Sequence, residues 1–320
     1  MKRYLCSLLC ILCLFLSVQS SYADTVRLSD QPILDGTQET AQTDSSEKAA
    51  TQPGTAKEAG IPQPEIASEG CALYDATTGR FLYTKNADKQ LYPASITKVM
   101  TVLLAAEKLS PDSVITFKAS ATENLESGYT NVGIVTGDTM TVKDAMYAVM
   151  LKSACEVSNG LAEQVSGTQK AFAELMNKRA KELGCTNTDF RNASGLNDTK
   201  HMTTAHDMAL IMAKAMDNST FYKVVTTKNY TLPASKKRGS LKLTNSNKML
   251  YLSNGEYVEG ILGGKTGYTS KAGNTLVEAA DIGGHRLITV VMKSNGKQYT
   301  DTKKLFEYGR QLLTGVKSGS

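Results

Sequence analysis

The stretch Tyr92-Pro93-Ala94-Ser95-Ile96-Thr97-Lys98 decides the fold, together with the apolar run Val99–Ala106 that follows it. The run is apolar all round, which predicts a buried helix rather than a surface helix. Residues i and i+3 share a helix face, so we expect the Ser95 hydroxyl and the Lys98 amine within hydrogen-bonding reach. A serine becomes a strong nucleophile when an adjacent base takes its proton. A desolvated lysine can lose its charge and act as that base.

A second motif, Gly263-Gly264-Lys265-Thr266-Gly267-Tyr268-Thr269, precedes a stretch rich in small and β-branched residues. A Lys-Thr-Gly on an edge strand points a cation and a hydroxyl into a cleft, and its glycine lets a substrate lie against the backbone. Each pattern also matches a second place in the chain. Ser45-Ser46-Glu47-Lys48 has the first pattern but lies in a polar stretch, and Lys317-Ser318-Gly319 has the form of the second but lies at the chain end. The predicted helix and strands distinguish the two motifs from these chance matches.

The N-terminus predicts export. Lys2 and Arg3 precede an apolar run over Tyr4–Val18 and then Ser21-Tyr22-Ala23, which is the pattern of a signal peptide over residues 1–23. The run is shorter than the ~20 residues of a membrane-spanning helix, and no later segment is predicted to cross a membrane. We therefore expect an extracytoplasmic protein, either secreted or associated with the cell wall or the outer membrane face, with an uncleaved N-terminal anchor as the alternative.

Composition excludes other classes of function. The formal net charge of +5 over 320 residues is mild and argues against nucleic acid as a partner. Beyond the signal peptide the chain keeps Cys71, Cys155 and Cys185, an odd number and too few for a disulfide scaffold. A chain of this length can build its core without disulfides, so we predict three free thiols.

The middle of the chain indicates one folded domain. Residues 24–64 contain few large apolar residues and predict a disordered linker, with the domain over 65–320. A hairpin is predicted at Cys71–Tyr83, and later strands at Gly273–Ala280 and Arg286–Met292. Helical periodicity covers 141–164, 170–183, 204–216 and 301–313. Strands at both ends with helices between them predict an α/β (α+β) domain whose two ends complete one sheet, with a helical subdomain at roughly 110–220.

The combination resembles the serine penicillin-recognising enzymes, whose motif set is Ser-x-x-Lys, Ser-x-Asn and Lys-Thr-Gly. Within them it is most similar to the low-molecular-mass D-alanyl-D-alanine carboxypeptidases. The likeness extends over Met150–Ala154, Phe190-Arg191-Asn192-Ala193-Ser194-Gly195-Leu196 and Thr203–Ile211. It implies a penicillin-binding transpeptidase/β-lactamase-like fold, in which helices flank a mostly antiparallel sheet.

The resemblance implies a serine carboxypeptidase that removes the terminal D-alanine from peptidoglycan stem peptides. Lys98 is expected to deprotonate Ser95, which forms the acyl-enzyme, and Ser153 to protonate the departing D-alanine. β-Lactam antibiotics are expected to acylate Ser95 as inhibitors. The resemblance implies no metal or organic cofactor, and we expect a monomer.

The expected substrate contacts follow from the same resemblance. Lys265 and Thr266 are expected to hold the substrate carboxylate beside the open backbone of Gly267. The backbone N–H groups of Ser95 and Tyr268 are expected to form the oxyanion hole. The family commonly has an arginine before its last helix, and this chain has Lys297 and Gln298 there.

The middle motif departs from the family. By position it is Ser153-Ala154-Cys155, so Cys155 stands where the family has an asparagine that contacts the catalytic lysine and the substrate amide. A thiol is a weak donor and a weak acceptor. Tyr129-Thr130-Asn131 is an alternative middle motif, because some relatives use Tyr-x-Asn. The departure also leaves open a catalytically weak penicillin-binding sensor or a cell-wall binding module.

Other chemistries fit the sequence less well. A Ser-His-Asp triad lacks a Gly-x-Ser-x-Gly elbow, and His201 and His206 do not have the i, i+4 spacing of a His-Glu-x-x-His metal site. We expect these two histidines to be polar residues near a helix start. A β-lactamase is disfavoured because no Glu-x-x-x-Asn segment lies between the second and third motifs. Cys155 as the nucleophile would need a base of its own.

Overall fold

The computed structural model describes residues 60–123, 125, 128–235 and 238–315. The predicted signal peptide, 1–23, and the predicted linker up to residue 59 lie outside these residues. Ile61, at the end of that predicted linker, is buried in an apolar cluster. The Tyr83 hydroxyl also donates to the carbonyl oxygen of Pro64 at 3.3 Å. The packed chain therefore begins before the predicted boundary at residue 65.

A five-stranded antiparallel sheet lies at the centre of the domain, in the order β2-β1-β9-β8-β7. Its strands are β1 (Gly70–Asp75), β2 (Arg80–Lys85), β7 (Ile261–Thr269), β8 (Gly273–Ile282) and β9 (His285–Met292). The predicted hairpin and the two predicted later strands are confirmed. Because β1 pairs with β9, the two ends of the domain complete one sheet as predicted. The edge strand β7 carries the Lys-Thr-Gly motif.

The helices cover both faces of this sheet. They are α1 (Lys98–Lys108), α2 (Ala119–Thr122), α3 (Val142–Lys152), α4 (Cys155–Ser166), α5 (Gln169–Glu182), α6 (Ala205–Met216), α7 (Ser219–Val225) and α8 (Gln298–Thr314). Two small antiparallel two-stranded sheets accompany them, formed by β3 (Val114–Thr116) with β4 (Thr139–Thr141) and by β5 (Asn229–Leu232) with β6 (Leu241–Thr244).

The segment 141–164 forms two helices rather than one continuous helix. Ser153 adopts the left-handed conformation, with φ +64°, and ends α3. A residue in this conformation closes a helix because the backbone cannot continue its hydrogen-bond pattern. Cys155 then begins α4. The break brings the middle motif to a corner between two helices.

Two apolar cores lie on opposite faces of the sheet. The larger core contains α1, whose residues Val99–Ala105 are all buried, together with Val277 and Ala279 of β8. The smaller core contains Leu276 and Ala280 of β8 under α8. The buried helix predicted after Ser95 is therefore confirmed, and the 3₁₀ turn Ala94–Thr97 that precedes it packs against the edge strand β7.

Two further observations concern the cysteines and the length of the helices. Cys71, Cys155 and Cys185 are buried and free, as predicted. Within the described part of the chain, no helix has both the length and the apolar character that a membrane span requires.

Candidate active site

A strained turn presents Ser95 at the start of α1. Ala94–Thr97 form a 3₁₀ turn, and Ala94 has φ +50°, which is uncommon for a residue with a side chain. The Thr97 hydroxyl donates to the Ala94 carbonyl oxygen at 2.9 Å and holds the turn closed. A Cβ atom at Gly267 would lie 2.9 Å from the Ser95 nitrogen. The glycine of Lys-Thr-Gly therefore allows the turn to pack directly against β7.

Ser95 and Lys98 form the contact that the sequence predicts. The Lys98 Nζ donates to the Ser95 Oγ at 3.0 Å. Lys98 is fully buried, and this burial lowers the pKa of its amine. An amine with a lowered pKa is neutral in a larger fraction of molecules at neutral pH. The pair thus has the geometry and the electrostatics of a nucleophile with its base.

A loop that the sequence analysis left without a role supplies another contact to Lys98. Its amine also donates to the backbone carbonyl oxygen of Ser194. The Asn192 Oδ1 shapes this loop by accepting hydrogen bonds from the N–H groups of Ser194 and Gly195, at 3.1 and 2.7 Å. A carbonyl contact of this kind carries no residue-type signal, although Phe190–Leu196 is part of the family likeness.

His201 links this loop to the nucleophile turn. Its Nδ1 accepts from the Arg191 N–H at 2.9 Å, and its Nε2 lies 2.8 Å from the Thr97 Oγ1. Burial lowers the pKa of His201 to about 4. The neutral ring therefore has a structural role. His206 stacks on Phe81 at the start of α6, and the described residues contain no cluster with metal-ligand geometry.

The middle motif also contacts Lys98. The Cys155 Sγ is 3.5 Å from the Lys98 Nζ. Ser153 is half-buried at the end of α3 and lines the same cleft as Ser95. The alternative residue Asn131 is exposed, and its side-chain amide donates to the Tyr129 carbonyl oxygen at 3.4 Å. Cys155, not Asn131, is the residue that contacts Lys98.

Lys265 brings a second buried amine to the site. Its Nζ donates to the Thr266 carbonyl oxygen at 2.8 Å. Burial, with a smaller contribution from the charge of Lys98, lowers the pKa of Lys265 to about 7. Because a positive charge on one amine disfavours a charge on the other, one of the two can stay neutral and act as the base while the other is protonated and binds an anion.

The cleft has a volume of about 490 Å³. Its lining includes Ser95, Ser153, Ser246, Thr266, Gly267, Tyr268 and Gln298. Lys98, Cys155 and Lys265 are buried behind this lining. All eight residues that the sequence analysis assigned to the site therefore meet at one place. A larger cavity of about 860 Å³, between residues 62–64 and α8, contains none of them.

Comparison with known proteins identifies the family. The model of the peptidase S11 family, D-alanyl-D-alanine carboxypeptidase, matches residues 56–296. The chain belongs to this family. The structure has the antiparallel sheet with flanking helices that the resemblance implied, and solved structures of penicillin-binding peptidases share it.

Two relatives illustrate the similarity to this family. The D-alanyl-D-alanine carboxypeptidase DacF of Bacillus subtilis is 34% identical over 241 residues, which is 74% of this chain and 60% of DacF. The chain thus spans about three fifths of that relative. The D-alanyl-D-alanine carboxypeptidase of Streptomyces sp. (strain K15) is 33% identical over 82% of this chain and 94% of its own length.

The crystal structure of the Streptomyces K15 DD-transpeptidase matches with a TM-score of 0.72 and 31% identity, covering 78% of this chain and 99% of that one. Solved variants of the same enzyme replace a serine, or a cysteine two positions after it. Ser153 and Cys155 have this spacing here. A Ser-x-Cys sequence is therefore present in another member of the family.

Proposed function

We propose that this protein is a serine D-Ala-D-Ala carboxypeptidase that acts on peptidoglycan stem peptides through an acyl-enzyme on Ser95. The observation that carries the proposal is the 3.0 Å contact between Ser95 Oγ and the buried Lys98 amine, in a cleft lined by Thr266 and Gly267. β-Lactam antibiotics, which mimic the same dipeptide, acylate Ser95 as inhibitors. The family membership supports this substrate class.

The reaction begins with the neutral Lys98 amine. It takes the proton of the Ser95 hydroxyl as the oxygen attacks the carbonyl carbon of the penultimate D-alanine. A tetrahedral intermediate forms, and its oxygen carries the negative charge. The backbone N–H groups of Ser95 and Tyr268 stabilise that charge, each by about 3 kcal/mol in comparable hydrolases. Because Gly267 has no side chain, this part of β7 can pack directly against the nucleophile turn.

Collapse of the intermediate breaks the peptide bond. The proton that Lys98 took passes through the Ser153 hydroxyl to the nitrogen of the departing D-alanine, which leaves as the free amino acid. The acyl group remains as an ester on Ser95. Water, deprotonated by Lys98, then hydrolyses that ester and regenerates the enzyme.

Substrate binding relies on the charge of Lys265. Its protonated amine attracts the terminal carboxylate, and the Thr266 hydroxyl donates a hydrogen bond to it. Gln298, which lines the same cleft, lies where the family commonly has an arginine. An amide binds a carboxylate less strongly than a guanidinium does, so Lys265 supplies most of the attraction.

Cys155 takes the position of the family's asparagine in this scheme. Its sulfur is a weak acceptor for the Lys98 amine. The Ser194 carbonyl accepts from the same amine, so it supplies a strong acceptor that the thiol does not. The amine is thereby held towards Ser95 without an asparagine. This arrangement supports catalysis in spite of the departure in the motif.

We infer that the protein works outside the cytoplasm as a monomer. The N-terminal pattern supports cleavage after Ala23, and residues 24–59 would then precede the packed domain as a linker. N-terminal sequencing of the protein recovered from the culture medium and from the cell envelope tests this. A mature N-terminus at Asp24 supports cleavage, and an intact Met1 in the envelope fraction supports an anchor.

The decisive experiment incubates the purified protein with fluorescent penicillin and with a tripeptide ending in D-Ala-D-Ala. We expect covalent labelling and release of D-alanine, both lost in Ser95→Ala. Ser120→Ala, at an exposed serine of α2, is the matched control and retains both. Labelling without any release contradicts the carboxypeptidase and favours the penicillin sensor. Binding of cell wall without labelling favours the binding module.

Transpeptidation is a second candidate, favoured by the Ser-x-Cys spacing shared with the Streptomyces K15 DD-transpeptidase. In that reaction an amine, instead of water, attacks the ester on Ser95. Adding glycylglycine to the same incubation distinguishes the two. A new peptide product that replaces the hydrolysed one supports transpeptidation, and unchanged hydrolysis supports the carboxypeptidase.

A further inference from the structure

The sheet contains a carboxyl group that the proposed reaction does not use. Glu278 lies in the middle of β8, where it pairs with Gly264 of β7 and Thr289 of β9, and it is fully buried. Its neighbours at alternate positions, Leu276 and Ala280, pack in the smaller core beneath α8. Because side chains alternate along a strand, Glu278 points into that core.

Among the described residues, Asn247 is the hydrogen-bond partner of this carboxyl. Its Nδ2 donates to the Glu278 Oε2 at 2.5 Å. Asn247 caps the 3₁₀ helix Lys248–Leu250, and its Oδ1 accepts from the Met249 N–H at 3.1 Å. The carboxyl thus fixes the Nδ2 of the Asn247 amide group, and the short helix fixes its Oδ1.

This contact reaches the cleft through the residue before Asn247. Ser246 lines the cleft, and its Oγ lies 3.3 Å from the Thr266 Oγ1. The Asn247 N–H donates to the Asn245 Oδ1 at 3.0 Å, which closes the backbone around Ser246. The position of Asn247 therefore sets where the Ser246 hydroxyl meets Thr266.

The neighbouring strand accommodates the carboxyl by means of a glycine. A Cβ atom at Gly264 would lie 2.9 Å from the Glu278 Cδ and 2.0 Å from the Val277 carbonyl oxygen. Burial raises the pKa of Glu278 to about 8. The group is therefore neutral at pH 7, which is the form that an apolar core tolerates.

We propose that Glu278 is a positioning residue for the reaction: it holds Asn247, and through Asn247 it holds Ser246 against Thr266 at the place where the substrate carboxylate binds. The identity of that substrate rests on the proposed function. Without the carboxyl, residues 245–248 lose their anchor in the core. Peptide binding then weakens, while Ser95 and Lys98 keep their contact and their reactivity.

The test compares Glu278→Ala with Glu278→Gln, whose neutral side chain keeps an acceptor for Asn247. A third variant, Asn247→Ser, keeps a good helix cap but is too short to reach Glu278. Thr289→Val is the matched control, since it changes the cross-strand neighbour of Glu278 on the same face. Three quantities are measured: kcat/KM for the D-Ala-D-Ala tripeptide, the fraction of Ser95 labelled by saturating penicillin, and amide hydrogen exchange of residues 245–250.

We expect Glu278→Ala and Asn247→Ser to lower kcat/KM about tenfold, to accelerate exchange and to leave labelling complete. The double variant loses no more than either single variant, because both remove the same contact. Glu278→Gln and Thr289→Val stay within about twofold of the wild type. Additive losses, or a Gln variant as impaired as the Ala variant, overturn the proposal. If the wild type neither binds penicillin nor releases D-alanine, the proposed function is wrong, and the exchange data alone decide the role of Glu278.

Discussion

The Lys98 amine lies 3.5 Å from the Cys155 sulfur, and both side chains are buried. Burial is the main cause of the lowered pKa of Lys98, and Cys155 acts in the opposite direction by raising it. The thiol therefore adjusts how readily the base is protonated.

Replacing Cys155 by alanine should extend activity to lower pH. The substitution removes an influence that raises the pKa of Lys98, so the neutral amine persists in more acidic solution. We expect the acidic limb of penicillin acylation of Ser95 to move to lower pH. Cys185→Ala, at a buried thiol that contacts the Asp207 carbonyl oxygen instead, should leave the profile unchanged. An upward shift in Cys155→Ala contradicts this account of the amine.

Peptide binding should weaken above neutral pH because Lys265 loses its proton there. The pKa of this amine is lowered to about 7, so its charge is present below that pH and is lost above it. We expect KM for a D-Ala-D-Ala peptide to rise towards about tenfold per pH unit in alkaline solution. A peptide with an amidated C-terminus is the control, and its KM should stay level. Lys265→Arg, whose charge persists, should flatten the rise, and an equally steep rise in that variant refutes the assignment.

A side chain at Gly195 should displace the nucleophile turn. Gly195 has φ +80°, and a Cβ atom there would lie 1.9 Å from the Ala94 carbonyl oxygen. We expect Gly195→Ala to lower the free energy of unfolding by at least about 2 kcal/mol through conformational strain and the clash together. The rate of Ser95 labelling should fall as well.

Gly239→Ala is the matched control for this glycine, because no atom of the described residues lies within 4 Å of its added Cβ. Its unfolding free energy should change by less than about 1 kcal/mol. Urea unfolding and stopped-flow labelling measure the two effects. Equal stability of the two variants would show that the Ala94 turn yields without strain.

Glu278→Gln should change how stability depends on pH. The pKa of Glu278 rises from its ordinary value of 4.5 to about 8 on folding. Between these two pH values the folded chain keeps the proton and the unfolded chain loses it. The contribution of Glu278 to the free energy of unfolding is therefore greatest below pH 4.5 and falls as the pH rises to about 8. Glutamine has no such linkage. The free energy of unfolding of the variant, relative to that of the wild type, should therefore rise by on the order of 4 kcal/mol between pH 5 and pH 8.

Urea unfolding of both proteins at several pH values measures this difference. Thr289→Val alters the adjacent core position and removes no titrating group. Its free energy of unfolding should therefore differ from that of the wild type by the same amount at every pH. Parallel pH profiles for wild type and Glu278→Gln would mean that the carboxyl is solvated in the folded state.

The sheet and the central helix were predictable because their signals are local. The short apolar run within Gly70–Asp75, bounded by a turn, and the nearly continuous apolar turns of Val99–Ala105 allow few other structures. The same locality explains why the helical periodicity over 141–164 predicts helix correctly but does not show the break at Ser153. Ser153 is an ordinary residue in sequence, and only packing of α3 and α4 around it imposes its left-handed backbone.

The sequence by itself determined the family, the motif residues and the departure at Cys155, since each depends on residue type at a fixed spacing. Only the tertiary structure decided what surrounds Lys98 and Thr266. The Ser194 carbonyl is a backbone group that any residue could provide, and Glu278 lies in a strand whose pattern reads as apolar core. Contacts made across 96 residues, as between Lys98 and Ser194, depend on how whole elements pack, which no local pattern encodes.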